Sequence, residues 1–181
     1  MRTYGDGCGI AHALDLIGER WALLVVRELL LGPKRFTDLR DGLPNASANV
    51  LSQRLRDLEH AAVVTRRRLP PPAGSWVYEL TDWGRELKPI VISLGAWALR
   101  SPSFPSDAPV GTDSVMLALG RGAEEAPDAI VETDAGTLSA VIWQGRELAL
   151  AMQAGDLRIK GDRAAVTRLI GLFPRPVPVA A

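Results

Sequence analysis

Cysteine and histidine are nearly absent from this chain. Its 181 residues include one cysteine, Cys8, and two histidines, His12 and His60. A single cysteine excludes an internal disulfide and a cysteine-rich zinc site, and the histidines stand too far apart to form a metal motif. No metal is expected. The chain also lacks a glycine-rich loop that would cradle phosphates, and it lacks a Ser–His–Asp motif. So little catalytic material argues against an enzyme, and no cofactor is expected. No apolar run approaches the roughly 18–20 residues that cross a bilayer, and no basic-then-apolar leader pattern opens the chain. No membrane association and a cytoplasmic location are expected.

Net charge is also missing, with 21 Lys+Arg against 21 Asp+Glu. The balance hides a division. Residues 1–100 carry 14 basic and 11 acidic side chains, while residues 101–181 carry 7 and 10. Between Arg20 and Arg68 there are 10 basic and 5 acidic residues. A local basic face on an otherwise acidic molecule suits a polyanion such as DNA, although charge alone also fits an ordinary solvated surface.

The sharpest change in composition falls at Ser101–Pro109, where three prolines and three serines read as an extended linker. This suggests a first domain over residues 1–100, a linker over 101–110, a second domain over 111–174 and a tail over 175–181. The expected fold class is α+β: a mostly helical winged helix-turn-helix domain followed by a small α+β domain. In the first domain, Ile10, Ala13, Leu14 and Ile17 share one helix face. The stretch from Trp21 to Leu31 is apolar on most sides and reads as a central core helix. Gly32-Pro33 ends it. A short helix follows over Phe36–Leu43. Ser47 can cap the next helix, which runs to about Ala61 with Val50, Leu51, Leu55, Leu58 and Ala62 inward. Val63–Leu69 and Trp76–Leu80, joined by a Pro/Gly loop, read as a hairpin. Thr81-Asp82-Trp83-Gly84 leads into a last helix, which would carry Leu87, Ile90, Val91, Leu94, Trp97 and Ala98 on a wide apolar face.

This order is that of a winged helix-turn-helix. The second helix of the pair would show Ser47, Asn49, Ser52, Gln53 and Arg56 outward, with Arg54 at its flank. Asparagine and glutamine can pair with adenine edges and arginine with guanine, and in this motif the first turns of the second helix enter the major groove. Lys34 and Arg35 precede the pair. In the hairpin, Arg66 and Arg68 share one face and Arg67 takes the other. These arginines either contact phosphates or guard an edge strand.

Several motifs resemble the HxlR-type regulators, relatives of the MarR group. They are Cys8-Gly9-Ile10, Ile17-Gly18-Glu19-Arg20-Trp21, Gly32–Phe36, Leu51–Glu59 and Tyr78–Gly84. The resemblance covers about residues 8–100. It implies a homodimer that binds a two-fold operator in double-stranded DNA, with a leaning towards repression. The helices that flank the winged core would supply the dimer interface. Cys8 matches a cysteine that some members use to sense oxidants or electrophiles, which makes it a redox candidate. Read from its position alone, it is either a thiol activated by a helix N-terminus or a small residue that seats the first helix.

In the second domain, Val115–Leu119 and Ala129–Thr133 read as strands. Helices are expected over Asp134–Trp143 and Glu147–Gln153. A strand follows at Leu157–Asp162, then a helix at Arg163–Phe173 with Ala165, Val166, Leu169, Ile170 and Phe173 inward. Thr133-Asp134, Trp143–Arg146 and Ala154–Asp162 are similar to part of a sterol-carrier-protein-like domain. That resemblance implies an apolar cavity, with Met116, Leu119, Val131, Leu138, Ile142, Trp143 and Met152 as candidate ligand-binding residues. An apolar or aromatic small-molecule effector would bind there, or the domain would serve dimerisation only. Three functions stand side by side: a DNA-binding regulator, a lipid or small-molecule binder whose winged helix makes protein contacts, and a thiol-based sensor acting through Cys8.

Overall fold

The computed structural model describes residues 3–103, 114–115, 129–171 and 173. The chain divides into two compact units, Met1–Ile92 and Ser93–Ala181.

The first unit opens with α1 (Gly9–Ile17), α2 (Ala22–Leu29), α3 (Phe36–Gly42) and α4 (Ala48–His60). An antiparallel hairpin follows, β1 (Val64–Arg68) and β2 (Trp76–Leu80), with Arg66 opposite Tyr78 and Arg67 opposite Val77. Lys34 exchanges both backbone hydrogen bonds with Tyr78 and so adds a short third member to this ribbon. A single-turn α5 (Asp82–Arg85) leads to α6 (Leu87–Ala98), which passes from the first unit into the second.

Apolar spacing sets the core. Val25, Val26 and Leu29 of α2 meet Leu39 of α3, and Leu51, Leu55 and Leu58 of α4, with Val63, Val64 and Leu80 closing the cluster. All ten are essentially buried, each worth about 1.5–3 kcal/mol of transfer free energy relative to exposure. The i, i+4 and i+7 positions of α4 therefore fix which of its faces is left for solvent.

Two tight contacts tie α4 to the hairpin. Ala62 sits at φ 56° just after α4. The Val63 N–H bonds the Leu58 carbonyl at 3.0 Å and the Ala62 N–H bonds the Glu59 carbonyl at 3.0 Å, a Schellman ending with alanine where glycine is usual. Thr81 Oγ1 donates to the Ala62 carbonyl at 2.8 Å and accepts the Gly84 N–H at 2.9 Å. Gly84 lies so close to this turn that a Cβ there would stand 2.1 Å from the Val63 carbonyl oxygen.

Four details depart from expectation. Ala62 is exposed because its left-handed conformation turns the chain out of the helix. Val50 is also exposed, lying one position off the Leu51–Leu55–Leu58 stripe. The α2 helix is the central core helix expected, through Ala22, Val25, Val26 and Leu29, but its Leu24 is exposed. The lead-in to the last helix is itself a helical turn, α5, and Pro89 supplies the reason that it stays separate from α6. Proline has no N–H to offer the carbonyl four residues earlier and its ring crowds that carbonyl, so it is accommodated in the first turn of a new helix.

In the second unit, β3 (Ala129–Thr133) pairs antiparallel with β4 (Leu157–Gly161), placing Val131 opposite Ile159. The helices are α7 (Ala135–Trp143), α8 (Leu148–Gln153) and α9 (Arg163–Gly171). Asp134 caps α7, accepting the Thr137 N–H at 2.9 Å and its hydroxyl at 2.6 Å, which holds the Asp134 carboxyl below its ordinary pKa. Val141, Ala151 and Leu157 form the core. Leu169 of α9 is exposed rather than inward, because Val166 and Ile170 already take the buried face. Of the strand expected over Val115–Leu119, only Val115 is described, and it is helical and buried. A short apolar run fits a buried helix as well as a buried strand. The rest of that run, like most of the linker and the tail, lies outside the described residues.

Candidate nucleic-acid interface

The outer face of α4 is polar and open. Ser47 occupies the N-cap, its hydroxyl accepting the Val50 N–H at 3.4 Å. Asn49, Gln53 and Arg56 are exposed and Ser52 is half-buried. Three buried leucines, Leu51, Leu55 and Leu58, anchor the helix with this face outward. The Gln53 amide is held at both ends: its Nε2 donates to Asp57 at 2.8 Å and its Oε1 accepts from Arg56 at 2.8 Å. Arg35 is exposed at the start of α3, its N–H bonded to the Asp38 carboxylate at 2.9 Å.

Two cations named from the sequence stand apart from this face. Lys34 Nζ lies 2.7 Å from Glu28, whose carboxylate is only 2% exposed and also receives Arg27 at 2.7 Å. Lys34 is thus held in an ion cluster under α3, where Glu28 also abuts Gly42. Arg54 is 15% exposed and pairs with Asp57 at 3.2 Å and Glu19 at 3.4 Å. Its sequence position flanks the outer face of α4, but the carboxylates on either side draw it inward.

All three hairpin arginines are exposed and each has a local partner. Arg67 Nε bonds Glu79 at 2.7 Å, and Arg68 Nε bonds the Gly74 carbonyl at 2.9 Å. The guanidinium of Arg66 lies over the rings of Trp76, at 4.6 Å, and Tyr78, at 5.7 Å. This aromatic support was not singled out from the sequence. The signal was present: with Arg66 opposite Tyr78, alternation places Trp76 on the same side of the ribbon.

Cys8 is exposed at the N-cap of α1. The backbone N–H groups of Ile10 and Ala11 stabilise a thiolate there and lower its pKa from the usual thiol value.

In the second unit, the residues named as ligand contacts have protein neighbours. Val131 and Met152 pack on the Val141–Ala151–Leu157 core. Ile142 is buried and Leu138 half-buried. Trp143 meets Phe173 edge-on, with ring centroids 6.3 Å apart. Side chains of this kind serve a small core and a ligand cavity alike. Met116 and Leu119 lie outside the described residues.

The HxlR-like helix-turn-helix family matches residues 16–102. The chain is 42% identical over 94 residues to the HTH-type transcriptional regulator YvaP of Bacillus subtilis (strain 168), covering 51% of this chain and 87% of that one. It is 36% identical over 86 residues to the HTH-type transcriptional regulator YodB of the same organism, covering 48% of this chain and 77% of YodB. The solved structure of PA1607 aligns with a TM-score of 0.52 at 30% identity, covering 59% of this chain and 73% of that one. Since the family match ends at residue 102, the sterol-carrier-like resemblance of the second unit rests on its own residues alone.

Proposed function

The chain belongs to the HxlR-like helix-turn-helix family of DNA-binding transcriptional regulators, and we propose that it is a cytoplasmic repressor acting as a homodimer on a two-fold operator. In this reading, Asn49, Ser52, Gln53 and Arg56 meet base edges in the major groove, with Ser47 and Arg35 beside them at the backbone. Arg66, Arg67 and Arg68 reach along the hairpin to phosphates or the minor groove. Residues 1–100 bind DNA and dimerise, residues 101–110 link, and residues 111–174 form a second domain.

The observation that carries this reading is the outer face of α4, where Ser47, Asn49, Gln53 and Arg56 are exposed above a fully buried leucine stripe. Supporting the dimer is an apolar surface on the first unit: Ile10 is 73% exposed, Leu14 45% and Ile90 54%. These residues share a shallow depression of about 540 Å³ with Leu24 and Trp21. A contiguous apolar face of this kind marks an association surface.

A gel-shift titration against the protein's own upstream DNA, at two salt concentrations, tests the proposal. Sequence-preferring binding that weakens with salt, and is lost in Gln53→Ala/Arg56→Ala, is expected. A folded protein that binds no DNA at low salt would refute it.

Cys8 supports a second reading, in which a thiol modification alters DNA binding. Its exposure and its two backbone donors favour the thiolate, the reactive form. Treatment with a quinone or diamide is expected to change DNA affinity in the wild type and not in Cys8→Ser. An equal response in both proteins would discard it.

A further inference from the structure

One polar chain crosses from the α1–α2 loop to the outer face of α4. It begins at Glu19 on that loop, where the backbone is already constrained, since Trp21 sits at φ 78°. Glu19 pairs with Arg54 at 3.4 Å, and Arg54 pairs with Asp57 at 3.2 Å. Asp57 accepts Gln53 Nε2 at 2.8 Å, and Gln53 Oε1 accepts Arg56 at 2.8 Å.

The chemistry of this chain leaves one orientation for the Gln53 amide. A carboxylate can only accept and a guanidinium can only donate, so the NH₂ must face Asp57 and the oxygen must face Arg56. Each amide atom keeps one hydrogen-bonding capacity unused, one N–H and one lone pair, and that donor–acceptor pair is what an adenine edge requires. Packing does not impose this setting. Gln53 is exposed, and a depression of about 180 Å³ borders Glu19, Gln53, Arg54 and Asp57. If the ion pairs broke, the side chains would have room to turn.

We propose that Asp57 is the positioning residue of the reading face, and that Arg54 makes its setting depend on the α1–α2 loop through Glu19. This inference rests on the reading of α4 as the helix that meets base edges. Asp57 itself touches no base in this account. It acts by fixing Gln53 and, through it, Arg56. Because Glu19 lies on the loop between α1 and α2, which both contribute to the apolar face, a shift of α1 would reach Gln53 without any contact between α1 and DNA.

The test uses the full chain with two probes, a duplex enriched from a random pool by the wild-type protein and a scrambled duplex of equal length. Affinity for both and the thermal midpoint are measured for the wild type, Asp57→Ala, Asp57→Asn and Glu19→Gln. Asp57→Ala is expected to lose about tenfold in the ratio of the two affinities, the discrimination carried by one base-edge contact. Its affinity for the scrambled duplex should hold. Asp57→Asn keeps an acceptor for Gln53 and should retain most of the ratio. Glu19→Gln should lower the ratio about twofold to threefold although every DNA-facing residue is chemically unaltered. An Asp57→Ala protein that weakens on both duplexes equally, with its ratio intact, would overturn the inference and leave the DNA-reading assignment standing. Should Asp57→Ala fail to fold, Glu19→Gln decides, and an unchanged ratio there overturns the coupling. A wild-type protein that enriches no sequence would overturn the reading of α4, and this inference with it.

Discussion

Lys34 Nζ stands 2.7 Å from a carboxylate oxygen of Glu28, a side chain almost wholly withdrawn from solvent. Arg27 supplies the second partner at 2.7 Å. A buried carboxylate needs both, because desolvation penalises the charged form unless donors replace water. Lys34→Met is expected to destabilise the protein by about 2–4 kcal/mol in urea unfolding, as one partner of a buried pair is removed. Arg35→Ala, on the exposed neighbour, should leave stability nearly unchanged. In DNA titrations the order reverses: Arg35→Ala should reduce the salt slope by about one, the loss of one phosphate contact.

The α4–hairpin junction makes opposite predictions at two positions. Ala62 holds a left-handed conformation that glycine adopts without strain. Ala62→Gly should therefore stabilise by about 0.5–1 kcal/mol, the left-handed strain relieved less the added unfolded-state entropy. Gly84→Ala should do the reverse, since its Cβ would fall 2.1 Å from the Val63 carbonyl oxygen. Backbone must move to admit it, and a loss of more than about 2 kcal/mol is expected. Thermal melts of the two single variants check both signs.

The elements of the first unit were legible because each carries a strong local signal. Leu51, Leu55 and Leu58 recur at helical spacing, Ser47 caps, and Val63, Val64 and Thr65 make a β-branched run ahead of the Pro/Gly loop. What the sequence hid was which side chains pair across the turns between elements. Nothing near Lys34 says that Glu28 is buried beneath it, and nothing near Arg54 says that Glu19, on a different element, will be within reach. A basic residue beside a reading helix looks the same in sequence whether it faces DNA or a carboxylate. In the second unit, Val131 and Met152 illustrate a related ambiguity, because the apolar side chains that line a cavity and those that fill a core obey one pattern.

The hairpin separates charge from positioning. Arg66→Ala removes a cation and should lower the salt slope of DNA binding by about one. Trp76→Leu keeps every charge but removes the ring 4.6 Å from the Arg66 guanidinium. It should weaken binding by about twofold to fivefold, in line with an exposed cation–π contact of about 0.5–1 kcal/mol, with the salt slope unchanged. Titrations at several salt concentrations distinguish the two.

Cys8 carries a pH prediction. The Ile10 and Ala11 N–H groups favour the thiolate in the folded chain only, so the native thiol should titrate at lower pH than the same thiol in urea. Between the two midpoints, the folded protein should be alkylated faster by iodoacetamide than the unfolded one. Above both midpoints that advantage should disappear or reverse, because a thiolate of lower pKa is the intrinsically weaker nucleophile. Equal midpoints in the folded and unfolded protein would show that the α1 N-terminus does not activate this cysteine.

The apolar face of the first unit sets the last expectation. Ile10, Leu14 and Ile90 are each substantially exposed. Leu24, also exposed, and the half-buried Trp21 join them around one depression. Covering such side chains with a second copy would bring roughly 25 cal/mol per Å² of apolar area, whereas leaving them in water brings nothing. Leu14→Asp places a charge at the centre of that surface, and its desolvation opposes association. Sedimentation of the wild type should give a dimer and of Leu14→Asp a monomer, with unchanged helical content because α1 contributes no buried side chain within its own chain. The monomer should also lose the affinity gained by engaging two half-sites at once, leaving only the weaker, salt-sensitive binding of one reading helix. A wild-type protein that sediments as a monomer and still binds a two-fold site tightly would remove the basis for the homodimer.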